Sequence, residues 1–204
     1  MIETGQRFGI DCDPSETTSI DPVGLLTRWI PPPQSCPPLV MALSTNGLDG
    51  YPRVRHVLLT EIRDGSIHFH TDTRSAKVAE IESDPRAAVS VAWPELGKQF
   101  MVHGDVIRAT REEEALAYAN RSRYLQLLAW LNDAATAHRN AEERHRAWAD
   151  FDAAHPVLTP PDTWIGFALT PWEITFWRGD PDGPSHRTCF TRTGDAWTAE
   201  VLPG

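Results

Sequence analysis

Val54-Arg-His-Val-Leu-Leu-Thr-Glu-Ile62, Arg63-Asp64-Gly65 and Ser66-Ile-His-Phe-His-Thr71 read as two strands joined by a tight turn. Asp-Gly tolerates the positive φ that two-residue hairpins require, and the arms are rich in β-branched and aromatic residues. In the second arm Ile67 and Phe69 alternate with His68 and His70, the period of a strand with one apolar and one polar face. Working outward, residues 39–45 have strand length and end in the turn chemistry of Asn46-Gly47 and Asp49-Gly50. Residues 87–93 and 99–109 flank the turn Pro94-Glu95-Leu96-Gly97. Strands resume over residues 164–169 and 173–177, and a last hairpin is expected around Thr193-Gly194-Asp195.

Helices interrupt these strands. Asp21 and Pro22 carry the N-cap and first-turn signals of a helix through Trp29. Val78 and Ile81 mark a helix over residues 74–83 that stops before Asp84-Pro85. From residue 112 to 152 the chain has no glycine or proline and predicts two or three helices, broken near Leu131-Asn132-Asp133. Residues 156–161 are a linker, and residues 1–21 a polar, turn-prone arm. The sum, six to eight strands with flanking helices, predicts an α+β, mainly β, small antiparallel barrel forming a single domain over residues 22–204.

Composition narrows the function. Nineteen basic against 28 acidic residues give a net charge of −9, which argues against broad capture of nucleic acid. Eight tryptophans and 41% hydrophobic residues support a packed core. No apolar run approaches the length of a membrane span, and the first residues lack the basic-then-apolar plan of a signal peptide, so a cytoplasmic protein is expected. Cys12, Cys36 and Cys189 are odd in number and far apart, so they indicate neither a disulfide framework nor a metal motif.

The usual catalytic signatures are missing. There is no dinucleotide or P-loop glycine pattern, no nucleophile elbow, and no partner that would make His68 and His70 a metal pair. The carboxylates between Glu112 and Glu143 read as the solvated face of the helical segment. What remains is Arg55 on one strand, His70-Thr71 closing the next, and Ser75 and Lys77 opening the helix that follows. Unpaired amides at a helix start attract anions, and an arginine on a neighbouring strand adds a two-donor clamp. The same spacing also suits a capped helix with a solvated lysine, and spacing alone leaves both readings open.

Larger motifs add to this. The run from Arg55 through Leu59, Phe69-His-Thr71, Ser75-x-Lys77, Asp84-Pro85-Arg86-Ala87, the stretch Trp93 to Gln99, and Val102-x-Gly104 resembles the pyridoxamine 5′-phosphate oxidase family. Tyr118, Arg121-Ser-Arg123 and Gln126-x-x-Ala-Trp130 resemble its helical motif, with one residue fewer between Tyr118 and Arg121. Trp164-x-Gly166, Ile174 to Gly179 and Arg187 resemble its closing segment. The resemblance implies an antiparallel, Greek-key-like split β-barrel that binds FMN at a homodimer interface. It places Arg55, Ser75 and Lys77 on the FMN phosphate and ribityl chain, and the backbone of His56, Val57 and Leu58 along the flavin. His70 and Thr71 stand at the flavin's polar edge with Gln99, and Trp177 and Arg187 arrive from the partner subunit.

Departures from the family pattern are also informative. An arginine usual between the serine and lysine is Ala76, a tyrosine usual before the threonine is His70, and a glutamine–serine pair is Ala134-Ala135. On the substrate side a lysine becomes Thr60 and a serine becomes Leu125, while the closing arginine and histidine become Gly183 and Ser185. Tyr118 and Arg121 persist, and His186 lies one position from the lost histidine. The resemblance therefore implies an FMN-dependent oxidase acting on a small amine or a reduced (hetero)aromatic ring, in which the flavin carries the chemistry and no side chain is catalytic. Two alternatives stand beside it: authentic pyridoxamine or pyridoxine 5′-phosphate oxidation with a rearranged grip, and a flavin- or deazaflavin-binding protein without turnover.

Overall fold

The computed structural model describes residues 21–31 and 38–204, so the expected arm over residues 1–21 lies outside the described residues apart from Asp21. Asp21 caps helix α1 (Pro22–Trp29), its carboxylate accepting the Gly24 N–H at 3.0 Å. The face of α1 that carries Leu25, Leu26 and Trp29 is buried against the sheet.

Nine antiparallel strands form one sheet that curls into a half-barrel: β1 (Val40–Asn46), β2 (Pro52–Leu58), β3 (Glu61–Arg63), β4 (Ser66–Asp72), β5 (Arg86–Trp93), β6 (Lys98–Arg108), β7 (Trp164–Arg178), β8 (His186–Thr193) and β9 (Ala196–Pro203). Their order is β2-β1-β5-β6-β7-β4-β3, with β8 and β9 added beside β7. This is the antiparallel split barrel expected from the sequence. Met41, Leu43, Phe69, Phe100, Leu169 and Ile174 fill its interior at 0% exposure. Burying one such side chain contributes about 1.5–3 kcal/mol.

Two strand expectations are corrected. The run 54–62 is not one strand: β2 pairs with β1, and after Leu58 the chain changes neighbours to pair β3 with β4. Leu59 N–H still bonds Leu39 O at 2.9 Å, whereas Thr60 N–H bonds His68 O at 2.8 Å, so this crossover helps to close the barrel. Conversely, residues 164–169 and 173–177 belong to a single strand of 15 residues, which pairs with β6 from Phe167 to Arg178, with β4 at its start and with β8 at its end. Pro171 is accommodated by a register shift in which His103 faces Glu173 and Gly104 faces Pro171, leaving Trp172 as the extra residue of a bulge. Glycine is required at 104, because a Cβ there would lie 2.3 Å from Thr170 O. The hairpin turn behaves as expected, with Asp64 and Gly65 at φ 51° and 78°.

Helix α2 (Ala76–Ser83) follows β4. The segment expected to hold two or three helices holds four: α3 (Arg111–Ala119), α4 (Arg123–Leu131), α5 (Ala134–Ala137) and α6 (Ala141–Ala154). The additional breaks occur where Ser122 and Asn140 act as N-caps, while Asp133 caps α5 at the expected break. Not all carboxylates of this segment are solvated. Glu114 is 2% exposed and accepts the Gly166 N–H at 3.1 Å, tying α3 to β7. No helix among the described residues is long and apolar enough to cross a membrane.

Candidate functional site

β2, the end of β4, the start of α2, the start of β7 and the helix α4 enclose an open cleft of about 480 Å³. His56, Val57 and Leu58 line it from β2, with His70 and Thr71 from β4, and Ser75 and Lys77 at the opening of α2. Trp164, Arg121, Leu125, Leu128 and Ala129 also line it, with Asp72, Arg74 and the segment 132–134.

At one end of the cleft, Lys77 Nζ donates to the Thr71 hydroxyl at 3.0 Å and to the Ser75 hydroxyl. Ser75 is the N-cap of α2 by position, yet its side chain accepts no amide of the helix. An ammonium and two hydroxyls therefore converge at a helix start, with no ion-pair partner for the lysine among the described residues. Burial, and secondarily the nearby Arg55 guanidinium, lower the Lys77 pKa. An anion bound beside the ammonium would offset both effects by favouring its charged form.

Arg55 does not line this cleft. Its guanidinium turns to Glu80 and Thr45, with a longer contact to Leu43 O at 3.4 Å. The Thr45 hydroxyl donates to Glu80 Oε2 at 2.6 Å. Burial pushes the Glu80 carboxyl up, but the Thr45 hydroxyl and the Arg55 guanidinium outweigh it and leave the pKa below its usual value. Glu80 escaped the sequence reading. The helical period gives no signal for it, since Glu80 stands two residues from Val78 and one from Ile81, off the face those two share.

At the other end, His70 Nδ1 shares a hydrogen bond of 3.0 Å with the Thr60 hydroxyl, and its ring stacks on Trp164 with centroids 5.0 Å apart. Its Nε2 is buried without a partner, close against Gly166, where a Cβ would lie 2.8 Å away. The expected polar face of this strand is thus no solvent face: His68 and His70 are 5% and 8% exposed. Burial first, then the positive charge of Arg121, lowers the His70 pKa to about 4. A neutral imidazole in the fold and the ordinary value of 6.5 when unfolded mean that stability is complete above pH 6.5 and declines as pH falls toward 4. Between pH 7 and pH 5 the loss from this group is about 2 kcal/mol. Urea unfolding at the two pH values should show His70→Phe losing less stability than the parent by that amount; an equal loss contradicts the buried neutral ring.

Arg121 sits over the Trp164 ring at 4.2 Å. No hydrogen bond or ion pair engages its guanidinium among the described residues, and burial lowers its pKa to about 10. Tyr118, expected on the substrate side, is 1% exposed and does not reach the cleft wall. Its hydroxyl donates to Gln126 O at 3.1 Å and accepts the Trp130 indole N–H at 3.1 Å.

The remaining expected residues lie elsewhere in the chain. Gln99, Trp177 and Arg187 form one cross-strand row over β6, β7 and β8 and line no part of the cleft. Arg187 Nε donates to Pro203 O at 2.9 Å. Gly183 and Ser185 lie between β7 and β8, His186 opens β8, and none of the three reaches the cleft.

The family model described as pyridoxamine 5′-phosphate oxidase matches residues 37–164, and a second, described as the pyridoxine 5′-phosphate oxidase C-terminal dimerisation region, matches residues 164–203. The chain belongs to the pyridoxamine 5′-phosphate oxidase family. Among curated members, the pyridoxine/pyridoxamine 5′-phosphate oxidase of Caulobacter vibrioides (strain NA1000 / CB15N) is 32% identical over 187 residues, covering 89% of this chain and 84% of its own. That of Chelativorans sp. (strain BNC1) is 34% identical over 192 residues, covering 91% and 92%. Among solved structures, PhzG from Burkholderia lata 383, in complex with tetrahydrophenazine-1-carboxylic acid, superposes with a TM-score of 0.77 at 24% identity, covering 91% of this chain and 94% of its own. A pyridoxamine 5′-phosphate oxidase-related, FMN-binding protein of Nostoc punctiforme gives 0.64 at 19%, covering 81% and 87%. These two likenesses are of fold. The match to the dimerisation region covers β7 to β9, the strands that carry Trp177 and Arg187.

Proposed function

We propose that this chain is an FMN-dependent oxidoreductase working as a homodimer. It removes a hydride and a proton from a small amine or a reduced (hetero)aromatic ring, with oxygen reduced to hydrogen peroxide. The observation that carries the reading is the convergence of Lys77, Ser75 and Thr71 in a cationic niche at the start of α2, in a member of an oxidase family. A phosphate fits the donor set: ammonium, hydroxyls and helix amides all donate and none carries negative charge.

In this reading Ser75 and Lys77 hold the FMN phosphate, and Arg55 acts behind them, through its charge and its hold on Glu80. His56, Val57 and Leu58 present backbone to the flavin, and Thr71 and His70 face its polar edge. Bound FMN supplies the two-electron chemistry, so the chain contributes orientation and exclusion of water. Gln99, Trp177 and Arg187 stay out of their own chain's cleft, and we assign Trp177 and Arg187 to the partner's cleft. The C-terminal dimerisation match supports that assignment.

Flavin titration tests the reading. The protein should bind FMN more tightly than riboflavin, and Lys77→Met should reduce that preference about 10- to 100-fold, the worth of one charge-assisted hydrogen bond. Equal affinity for FMN and riboflavin in the unaltered protein removes the phosphate assignment.

A further inference from the structure

We infer that His56 carries the proton of the oxidation: it takes the proton that the donor loses beside the hydride, and returns it when oxygen is reduced. The inference rests on the proposed flavin site, and it gives a side chain of this chain a part in chemistry otherwise left to the cofactor.

Strand alternation places the imidazole. Arg55 turns to Glu80 and Thr45, and Val57 packs on the core, so His56 and Leu58 point to the opposite face of β2. His56 is exposed, lines the cleft, and pairs across the ladder with Ala42, whose side chain is too short to cover it. Its place along the cleft is central. Arg55, one residue before it, is near enough to Lys77 to lower the lysine's pKa. Thr60, four residues after it, is bonded to His70 at the far end. His56 therefore stands between the phosphate niche and His70, where the reacting ring belongs.

The other titratable side chains that line the cleft are committed elsewhere. Asp72 accepts from Arg74 Nε at 2.9 Å and from Arg74 Nη2 at 2.6 Å, and Asp133 accepts the Thr136 N–H at 2.7 Å. Those bonds hold both carboxyls below their usual pKa, so neither takes up a proton near neutral pH. His70 is kept neutral by burial and by Arg121, with Nδ1 on Thr60 and Nε2 buried. Lys77 donates to Thr71 and Ser75 in the phosphate niche, and Arg121, lowered only to about 10, stays charged. His56 makes no hydrogen bond, ion pair or ring contact among the described residues, so both of its ring nitrogens are open. Imidazole is also the side chain best suited to changing charge near neutral pH.

The balance of the reaction calls for such a group. Oxidising CH–NH to C=N, or CH–CH to C=C, releases one hydride and one proton. The hydride goes to the flavin, and the proton goes to a ring nitrogen of His56. Reducing oxygen to hydrogen peroxide consumes that hydride and one proton, which the imidazolium supplies. His56 ends the cycle neutral.

The FMN-loaded protein tests this without a substrate. Reduction at equilibrium with a dye mediator, between about pH 7 and 8, counts the protons taken up with each electron pair. The parent should take up close to one proton more than His56→Gln. Mixed with oxygen after photoreduction, His56→Gln should reoxidise about a hundredfold more slowly than the parent, and added imidazole should restore part of the rate in His56→Ala. Isotope-labelled histidine rings give a reading by NMR that needs no variant: in the parent, one imidazole should pass from neutral to protonated when the flavin is reduced. Equal proton uptake in parent and variant, an unchanged reoxidation rate, or no imidazole that responds to reduction overturns the inference. Failure of the parent protein to bind FMN would instead remove the underlying reading, so the two failures are distinguishable.

Discussion

Mixed anaerobically with pyridoxamine 5′-phosphate, the FMN-loaded protein should stay oxidised over times in which an ordinary oxidase would be fully reduced. Where the family pattern has a lysine and a serine to hold the substrate phosphate, this chain has Thr60, whose hydroxyl is committed to His70, and Leu125, which presents hydrocarbon to the cleft. Tyr118 gives its hydroxyl to Gln126 O and receives the Trp130 N–H, so it also offers nothing to a ligand. Arg121 alone remains. Each missing charge-assisted hydrogen bond is worth about 1.5–3 kcal/mol, so two of them lower affinity by roughly two to four powers of ten. Misplacing the reacting carbon lowers the rate further. Thr60→Lys with Leu125→Ser should recover part of the affinity but not the full rate, because the new lysine forfeits the bond that orients His70. Stopped-flow reduction at an ordinary enzymatic rate in the unaltered protein would mean that the chain is an authentic pyridoxamine 5′-phosphate oxidase, as its curated relatives are named. No reduction by any amine or dihydroaromatic would favour a flavin-binding protein without turnover.

Local chemistry was readable from the sequence where both partners are close in the chain. Asp21 and Gly24, and Asp64 with Gly65, need only their own backbone geometry, and both features are present. The opening of α2 was equally legible, since Ser75 and Lys77 are two residues apart and Thr71 lies just before them. The crossover at Leu59-Thr60 was not legible, because residues 54–62 are uniformly strand-like and only Leu39 and His68 reveal where each N–H goes. Glu80 and Glu114 failed for the same reason. Their decisive partners are Arg55, 25 residues away, and Gly166, 52 residues away. A buried carboxylate is defined by what neutralises it, and no local pattern announces a distant neutraliser. Family resemblance supplied an expected role for Arg55, but only the fold shows that Glu80 competes for its guanidinium.

That competition leads to the second large effect. Arg55→Ala should destabilise the flavin-free protein by about 3 kcal/mol, because it leaves the Glu80 carboxylate buried without its ion-pair partner and with the Thr45 hydroxyl as its remaining hydrogen bond among the described residues. The lower end of the usual range applies, since the Arg55 side chain keeps 21% of its surface in water while that of Glu80 keeps 8%. Glu80→Gln should cost less, as the amide oxygen still accepts from Arg55 and no charge is stranded. The double variant Arg55→Ala, Glu80→Gln should therefore be more stable than Arg55→Ala alone, a rescue that urea unfolding reads directly. A direct phosphate ligand would behave differently: Arg55→Ala would leave the flavin-free protein as stable as the parent and would lower only FMN affinity. Arg55 sits close enough to Lys77 to depress its pKa, so some loss of FMN affinity is expected in either case. Stability without flavin is the measurement that separates the two roles, and rescue by Glu80→Gln assigns the guanidinium to the carboxylate.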